Sequence, residues 1–125
     1  MNETYNIVLI IEDNEALANM LRRRLIKRGY HVKLAVTGEE GLRSAIESVP
    51  SILLLDMNLP GKSGWSIAKE LKSTEQTQKI PIIAITAHAM KGDRERALQV
   101  GCDHYLIKPI DFDQLICLLE EYLNN

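Results

Sequence analysis

Cysteine is nearly absent from this chain. Cys102 and Cys117 are the only two, they form no CxxC pair, and no histidine stands at ligand spacing, which disfavours a disulfide scaffold or a zinc site and suits a reducing cytosol. Both read as small buried hydrophobes. An excess of either charge is also missing: 15 Lys and Arg face 17 Asp and Glu, a net charge of -2. Nothing steers such a molecule toward nucleic acid or an anionic membrane, so proteins or small anions are the expected partners. No apolar run approaches the roughly 20 residues needed to cross a bilayer, and no basic segment leads into an apolar one at the N-terminus. A cytoplasmic location is therefore expected. There are no linkers, low-complexity tracts or repeats, and 125 residues match one domain spanning 1–125. What is plentiful is apolar material, 46% of the chain, enough for a real interior and unlike the composition of disordered chains.

The apolar residues alternate between strand and helix patterns. Ile7 to Ile11 is an unbroken apolar run, as expected for a strand covered on both faces. Asn14 caps a helix in which Leu17, Leu21 and Leu25 recur at four-residue spacing and which Gly29 closes. From His31 to Val36 apolar and polar residues alternate, the mark of an edge strand. Thr37 and Glu40 open a second helix that must stop before Pro50. Ile52 to Leu55 is a second central strand, followed by a loop over Asn58 to Gly64. The next helix runs to about Ser73 with Ile67, Ala68 and Leu71 facing inward. Ile82 to Ile85 is the fourth strand, Asp93 to Val100 a helix closed by Gly101, and Tyr105 to Ile107 a short fifth strand. Asp111 and Gln114 cap a last helix whose Leu115, Leu118, Leu119 and Tyr122 form one apolar stripe. Strand–helix alternation with right-handed crossovers predicts an α/β fold. The expected form is a flavodoxin-like (βα)5 three-layer sandwich, its five parallel strands in the order 2-1-3-4-5 with helices on both faces.

Ligands of such sheets lie beyond the carboxyl ends of the strands. There the chain carries Glu12-Asp13, Asp56, Thr86 and Lys108-Pro109. Each has an ordinary explanation when taken singly, since an acid pair before a helix is favoured by the helix dipole and a Thr at a strand end is common. Together they are harder to dismiss. Two carboxylates about 4 Å apart repel by about 4 kcal/mol at an effective dielectric of 20, against a total stability of about 5–15 kcal/mol. Lys108 supplies one positive charge, so three gathered acids call for Mg2+ or Mn2+, hard cations that leave coordination positions open to phosphate oxygens. In that setting the Asp56 carboxylate is a candidate nucleophile toward phosphorus, with Lys108 and Thr86 stabilising the transferred oxygens.

These residues, with the stretches VLIIEDN, LLLDMNLPG, IAITAHAMKGD and GCDHYLIKPID around them, resemble the response-regulator receiver domains of the CheY-like superfamily over nearly the whole chain. The resemblance implies that Asp56 is the phosphoacceptor. It also implies that Asp13, Asp56 and the backbone carbonyl of Asn58 bind Mg2+ while Glu12 acts through water. Lys108 is implied to contact the phosphoryl group across a cis bond to Pro109, Thr86 to turn inward on phosphorylation, and Tyr105 to be the switch aromatic. Asn58 and His88 occupy positions that tune the phosphoryl lifetime in this family. Departures are mild: Glu12 stands where Asp is commoner, and Ser63 where an Asp often precedes the glycine.

The implied donor is a histidine kinase or a histidine phosphotransfer protein, docking on the first helix near Ala16, Leu17 and Met20. The implied target surface is the fourth helix, fifth strand and fifth helix. Because only Asn124 and Asn125 follow the last helix, no output domain is expected, and no turnover of an external substrate. The last two stretches also resemble receivers of hybrid histidine kinases, so an origin within a larger kinase stays open. A haloacid-dehalogenase-type phosphohydrolase fits less well, because its nucleophile belongs on the first strand with an acid two residues later. A flavodoxin-like binding module lacks its phosphate loop after the first strand. Trp65 is expected to pack, and Lys91, Arg94 and Arg96 to form a solvated helix face.

Overall fold

Three strands made almost wholly of branched apolar residues fill the middle of the sheet in the computed structural model, which describes residues 6–87 and 90–123. They are β1 (Ile7–Ile11), β3 (Ile52–Asp56) and β4 (Ile82–Thr86). The edges are β2 (His31–Ala35) and β5 (His104–Ile107), and the order β2-β1-β3-β4-β5 is parallel throughout. Every residue of β3 and β4 is buried, whereas β2 alternates between exposed and half-buried positions up to Ala35, which is buried, as its sequence pattern requires. The helices are α1 (Glu15–Lys27), α2 (Gly38–Ser48), α3 (Gly64–Lys72), α4 (Asp93–Gln99) and α5 (Phe112–Leu123). None of the described helices is long and apolar enough to cross a membrane.

Alternate strand residues feed two cores. Leu9, Ile11, Leu53, Leu55, Ile82 and Ala84 pack with Leu42, Ala45, Ile67, Leu71 and Ala97, while Val8, Ile10, Ile52, Leu54, Ile83 and Ile85 pack with Leu21, Leu25, Leu115 and Leu119. Helices α2, α3 and α4 thus cover one face and α1 and α5 the other, giving three layers.

The helix starts obey local chemistry. Asn14, Thr37 and Ser63 each accept a hydrogen bond from the backbone amide three residues on, at 3.0, 3.1 and 3.3 Å. Gly29 follows α1 with φ +94°, and α2 ends at Val49, held in a left-handed conformation before Pro50.

Several boundaries differ from the sequence reading by a residue. β3 and β4 take in Asp56 and Thr86, β2 stops at Ala35, α4 ends at Gln99, and β5 begins at His104. The longer central strands reflect ladder bonds that continue past the apolar runs: Met57 N–H donates to the Ile85 carbonyl at 2.8 Å and Lys108 N–H to the Thr86 carbonyl at 2.7 Å. Two side chains also differ from expectation. Cys102 is buried but Cys117 is exposed, because it lies on the far side of α5 from the Leu115–Leu119 stripe. Arg96 is not simply solvated: its guanidinium lies 4.1 Å from the centre of the Trp65 ring, joining α4 to α3.

One glycine ties the third helix to the end of β3. A Cβ on Gly64 would lie 2.6 Å from the Asp56 carbonyl oxygen and 2.6 Å from Met57 Cα, both backbone atoms that cannot yield without moving the strand end. Gly64→Ala is expected to lower the stability to urea by about 1–3 kcal/mol, the usual cost of overpacking. An unchanged denaturation midpoint would show that the helix can back away freely.

Candidate functional site

The registry of the sheet decides which residues meet. Ile11 pairs with both Ala35 and Leu55, Asp56 with Ile85, and Thr86 with Ile107, so the carboxyl ends of the strands fall on one rim. Glu12 N–H donates to the Ala35 carbonyl at 3.0 Å, extending the ladder one residue beyond β1. The chain therefore delivers Glu12, Asp56, Thr86 and Lys108 from pinned backbone rather than from free loops.

At that rim, carboxylate oxygens of Glu12, Asp13 and Asp56 all lie within 4.8 Å of one another. Glu12 and Asp56 are 2% and 3% exposed, so water screens their mutual repulsion little, whereas Asp13 is exposed. The Lys108 ammonium lies 2.9 Å from Glu12 Oε1 and 3.6 Å from Asp56 Oδ2. Each buried carboxylate gives its other oxygen to a backbone amide: Glu12 Oε2 accepts from Asn14 N–H at 3.1 Å, and Asp56 Oδ1 from Asn58 N–H at 2.9 Å. Among the described residues Lys108 is the only cation paired with these acids, and its peptide bond to Pro109 is cis.

The protonation equilibria record the imbalance. Burial pushes the Glu12 carboxyl up from 4.5 to about 7; the Lys108 ammonium and the Asn14 amide pull it back in part, and the Asp56 charge adds to the rise. Burial works against the charge on Lys108, yet its contacts with Glu12 and Asp56 outweigh burial and hold the amine above its ordinary range.

For Glu12 the sign of the linkage is fixed. The folded state binds this proton more tightly than the unfolded chain, so stability contributed at low pH is lost as pH rises between about 4.5 and about 7. In metal-free protein the difference between wild type and Glu12→Gln should grow across that window by about 3 kcal/mol in favour of the variant. Chemical denaturation in EDTA at pH 5 and pH 7.5 measures it; parallel pH profiles would mean that the acid is not under this pressure.

Across the pocket Thr86, 1% exposed, donates its hydroxyl to Asn58 Oδ1 at 2.9 Å, and the backbone N–H of Ala87 donates to the same oxygen at 3.1 Å. Half-buried Tyr105 lies nearby, its phenol pushed up by burial and by the Asp93 charge, with the neighbouring Thr86 hydroxyl acting the other way. The sequence reading gave Asn58 a carbonyl and a tuning position but no link to Thr86. Nothing in a DMN tripeptide signals it, because the direction of that side chain is set by the opposing β4 end. His88 lies outside the described residues. Glu12, Asp13, Asp56 and Lys108 are thus gathered into one cluster, with Thr86 joined to it through Asn58 and Tyr105 beside Thr86 on the neighbouring strand.

The donor set is all oxygen and strongly anionic, which fits a hard divalent cation and not a soft one. The family model of the response regulator receiver domain matches residues 8–120. The polar-differentiation response regulator DivK of Brucella ovis is 41% identical over 118 residues, covering 94% of this chain and 96% of the relative. Among solved structures, the receiver domain of the sensor histidine kinase PA1611 from Pseudomonas aeruginosa, which has a magnesium ion coordinated in its active-site cleft, matches with a TM-score of 0.87. It is 34% identical and covers 98% of this chain and all of that one. The Vibrio cholerae chemotaxis protein CheY4 matches with a TM-score of 0.89 at 25% identity, over 96% of this chain and all of its own.

Proposed function

Given that this chain belongs to the response regulator receiver family, we propose that Asp56 accepts a phosphoryl group from a histidine kinase or a histidine phosphotransfer protein and that the resulting charge switches a protein–protein contact. The observation that carries this reading is the Lys108 ammonium poised between Glu12 and Asp56 at 2.9 and 3.6 Å, beside a third acid that it does not neutralise.

Asp13, Asp56 and the Asn58 carbonyl would hold Mg2+ or Mn2+, with Glu12 acting through water. The bound ion would supply positive charge to the phosphoryl oxygens and offset the acid crowding. The chain's own residues do the rest. An Asp56 carboxylate oxygen forms the new P–O bond as the P–N bond of the phosphohistidine breaks, and the departing electron pair is taken by the imidazole, which gains a proton. Lys108, already in the pocket, hydrogen-bonds the transferred oxygens. Thr86 turns its hydroxyl to the new anion, and Tyr105, beside it on β5, responds to that movement. Asn58 and His88 tune how fast water removes the group.

Two surfaces follow from this placement. Exposed Ala16 and half-buried Leu17 and Met20 lie on α1 near the rim, where a donor must approach. Met90, Leu98 and Ile107, exposed to 70, 46 and 48%, provide apolar contact area along the α4–β5–α5 side for a target.

Intact-mass measurement after treatment with acetyl phosphate tests the assignment. One phosphoryl group gained with Mg2+, and none with EDTA, is the expected pattern. Continuous release of free phosphate without an adduct would instead favour the phosphohydrolase reading.

A further inference from the structure

Resting on the phosphoacceptor reading above, we infer that the Asn58 carboxamide oxygen is a built-in competitor for the phosphoryl group, occupying the Thr86 hydroxyl and the Ala87 amide until phosphorylation displaces it.

The geometry is specific. Two donors from consecutive residues at the end of β4 converge on one oxygen, Thr86 Oγ1 at 2.9 Å and Ala87 N at 3.1 Å. An oxygen that accepts two such donors at these distances offers them what a phosphoryl oxygen would. Asn58 is held in place from below, since its own N–H donates to Asp56 Oδ1 at 2.9 Å. The same short loop thus grips the acceptor carboxylate with its backbone and the opposite rim with its side chain. Thr86 is 1% exposed, so its hydroxyl cannot be left without a partner cheaply. Asn58 satisfies it in the unphosphorylated state.

An anion on Asp56 must therefore exchange partners with Asn58 rather than fill free donors. The bonds it gains on Thr86 and Ala87 are offset by those Asn58 loses, and the exchange sets a threshold for switching. Tyr105 pairs in register with Ala84, two residues before Thr86 on β4, so releasing Asn58 frees the Thr86 hydroxyl to move and alters what lies beside β5. Asn58 is a positioning residue in this scheme, acting through Thr86 and touching no reacting atom with its side chain.

Beryllofluoride, a phosphoryl mimic, tests this in the presence of Mg2+ by titration followed on backbone amide resonances. Asn58→Ala should bind it roughly three- to tenfold more tightly than wild type, the equivalent of one hydrogen bond no longer opposed. In a Thr86→Val background the same Asn58→Ala change should yield a clearly smaller gain. Independently of any anion or metal, hydrogen exchange of the Ala87 amide should be slow in wild type and faster in Asn58→Ala. Equal or weaker beryllofluoride binding by Asn58→Ala, or an Ala87 amide whose exchange is unaltered, would overturn the inference. Wild-type protein that binds no beryllofluoride at all would instead remove the phosphoacceptor reading itself, leaving the Ala87 exchange to judge the Asn58 contact.

Discussion

Asp56→Asn should acquire no phosphoryl group from acetyl phosphate under conditions that label the wild type completely. The substitution is nearly isosteric and keeps an oxygen to accept the 2.9 Å bond from Asn58 N–H, so the pocket retains its shape. What disappears is the nucleophile, since a carboxamide oxygen carries no charge with which to attack phosphorus. Circular dichroism and the melting temperature should report a folded protein, which separates loss of chemistry from loss of structure. Labelling of Asp56→Asn at the wild-type level would place the acceptor elsewhere.

Lys108→Met is expected to damage both stability and chemistry. The amine lies 2.9 Å from Glu12 and 3.6 Å from Asp56, each almost fully buried, and removing it leaves two acids facing each other at low dielectric. Breaking such a buried pair from one side costs about 3–5 kcal/mol. Glu12 can relieve part of that by taking up a proton, because it already titrates near 7 and loses a contact that held its pKa down. The destabilisation should accordingly be large in EDTA at pH 8 and shrink at pH 5. Phosphorylation by acetyl phosphate should slow by about 100-fold or more, the scale seen when one donor to a developing anion is removed. A variant as stable as wild type at pH 8 would show that Lys108 does not neutralise the pocket.

Much of this was legible before any coordinates, for reasons that can be named. Runs such as Ile7–Ile11 and Ile52–Leu55 are too apolar and too short for anything but covered strands, and their order placed Glu12, Asp56, Thr86 and Lys108 at one rim. Caps at Asn14 and Thr37 depend only on neighbouring residues and were equally readable. The features that escaped depend on contacts between distant segments. The bond from Thr86 to Asn58 joins residues 28 apart, and the stacking of Arg96 on Trp65 follows from how α4 lies against α3. The exposure of Cys117 was within reach, since the position two residues after Leu115 points away from the apolar stripe that Leu115 and Leu119 define.

Titration of Mn2+ into metal-free protein, followed by calorimetry, bears most directly on the claim that the gathered acids require a divalent cation. Wild type should bind one ion at millimolar concentration or below and gain thermal stability as it does so. Asp13→Asn should bind more weakly, yet melt higher than wild type when no metal is present, because one like charge has been removed from the cluster. Absence of Mn2+ uptake by wild type at millimolar levels would contradict the account at its root.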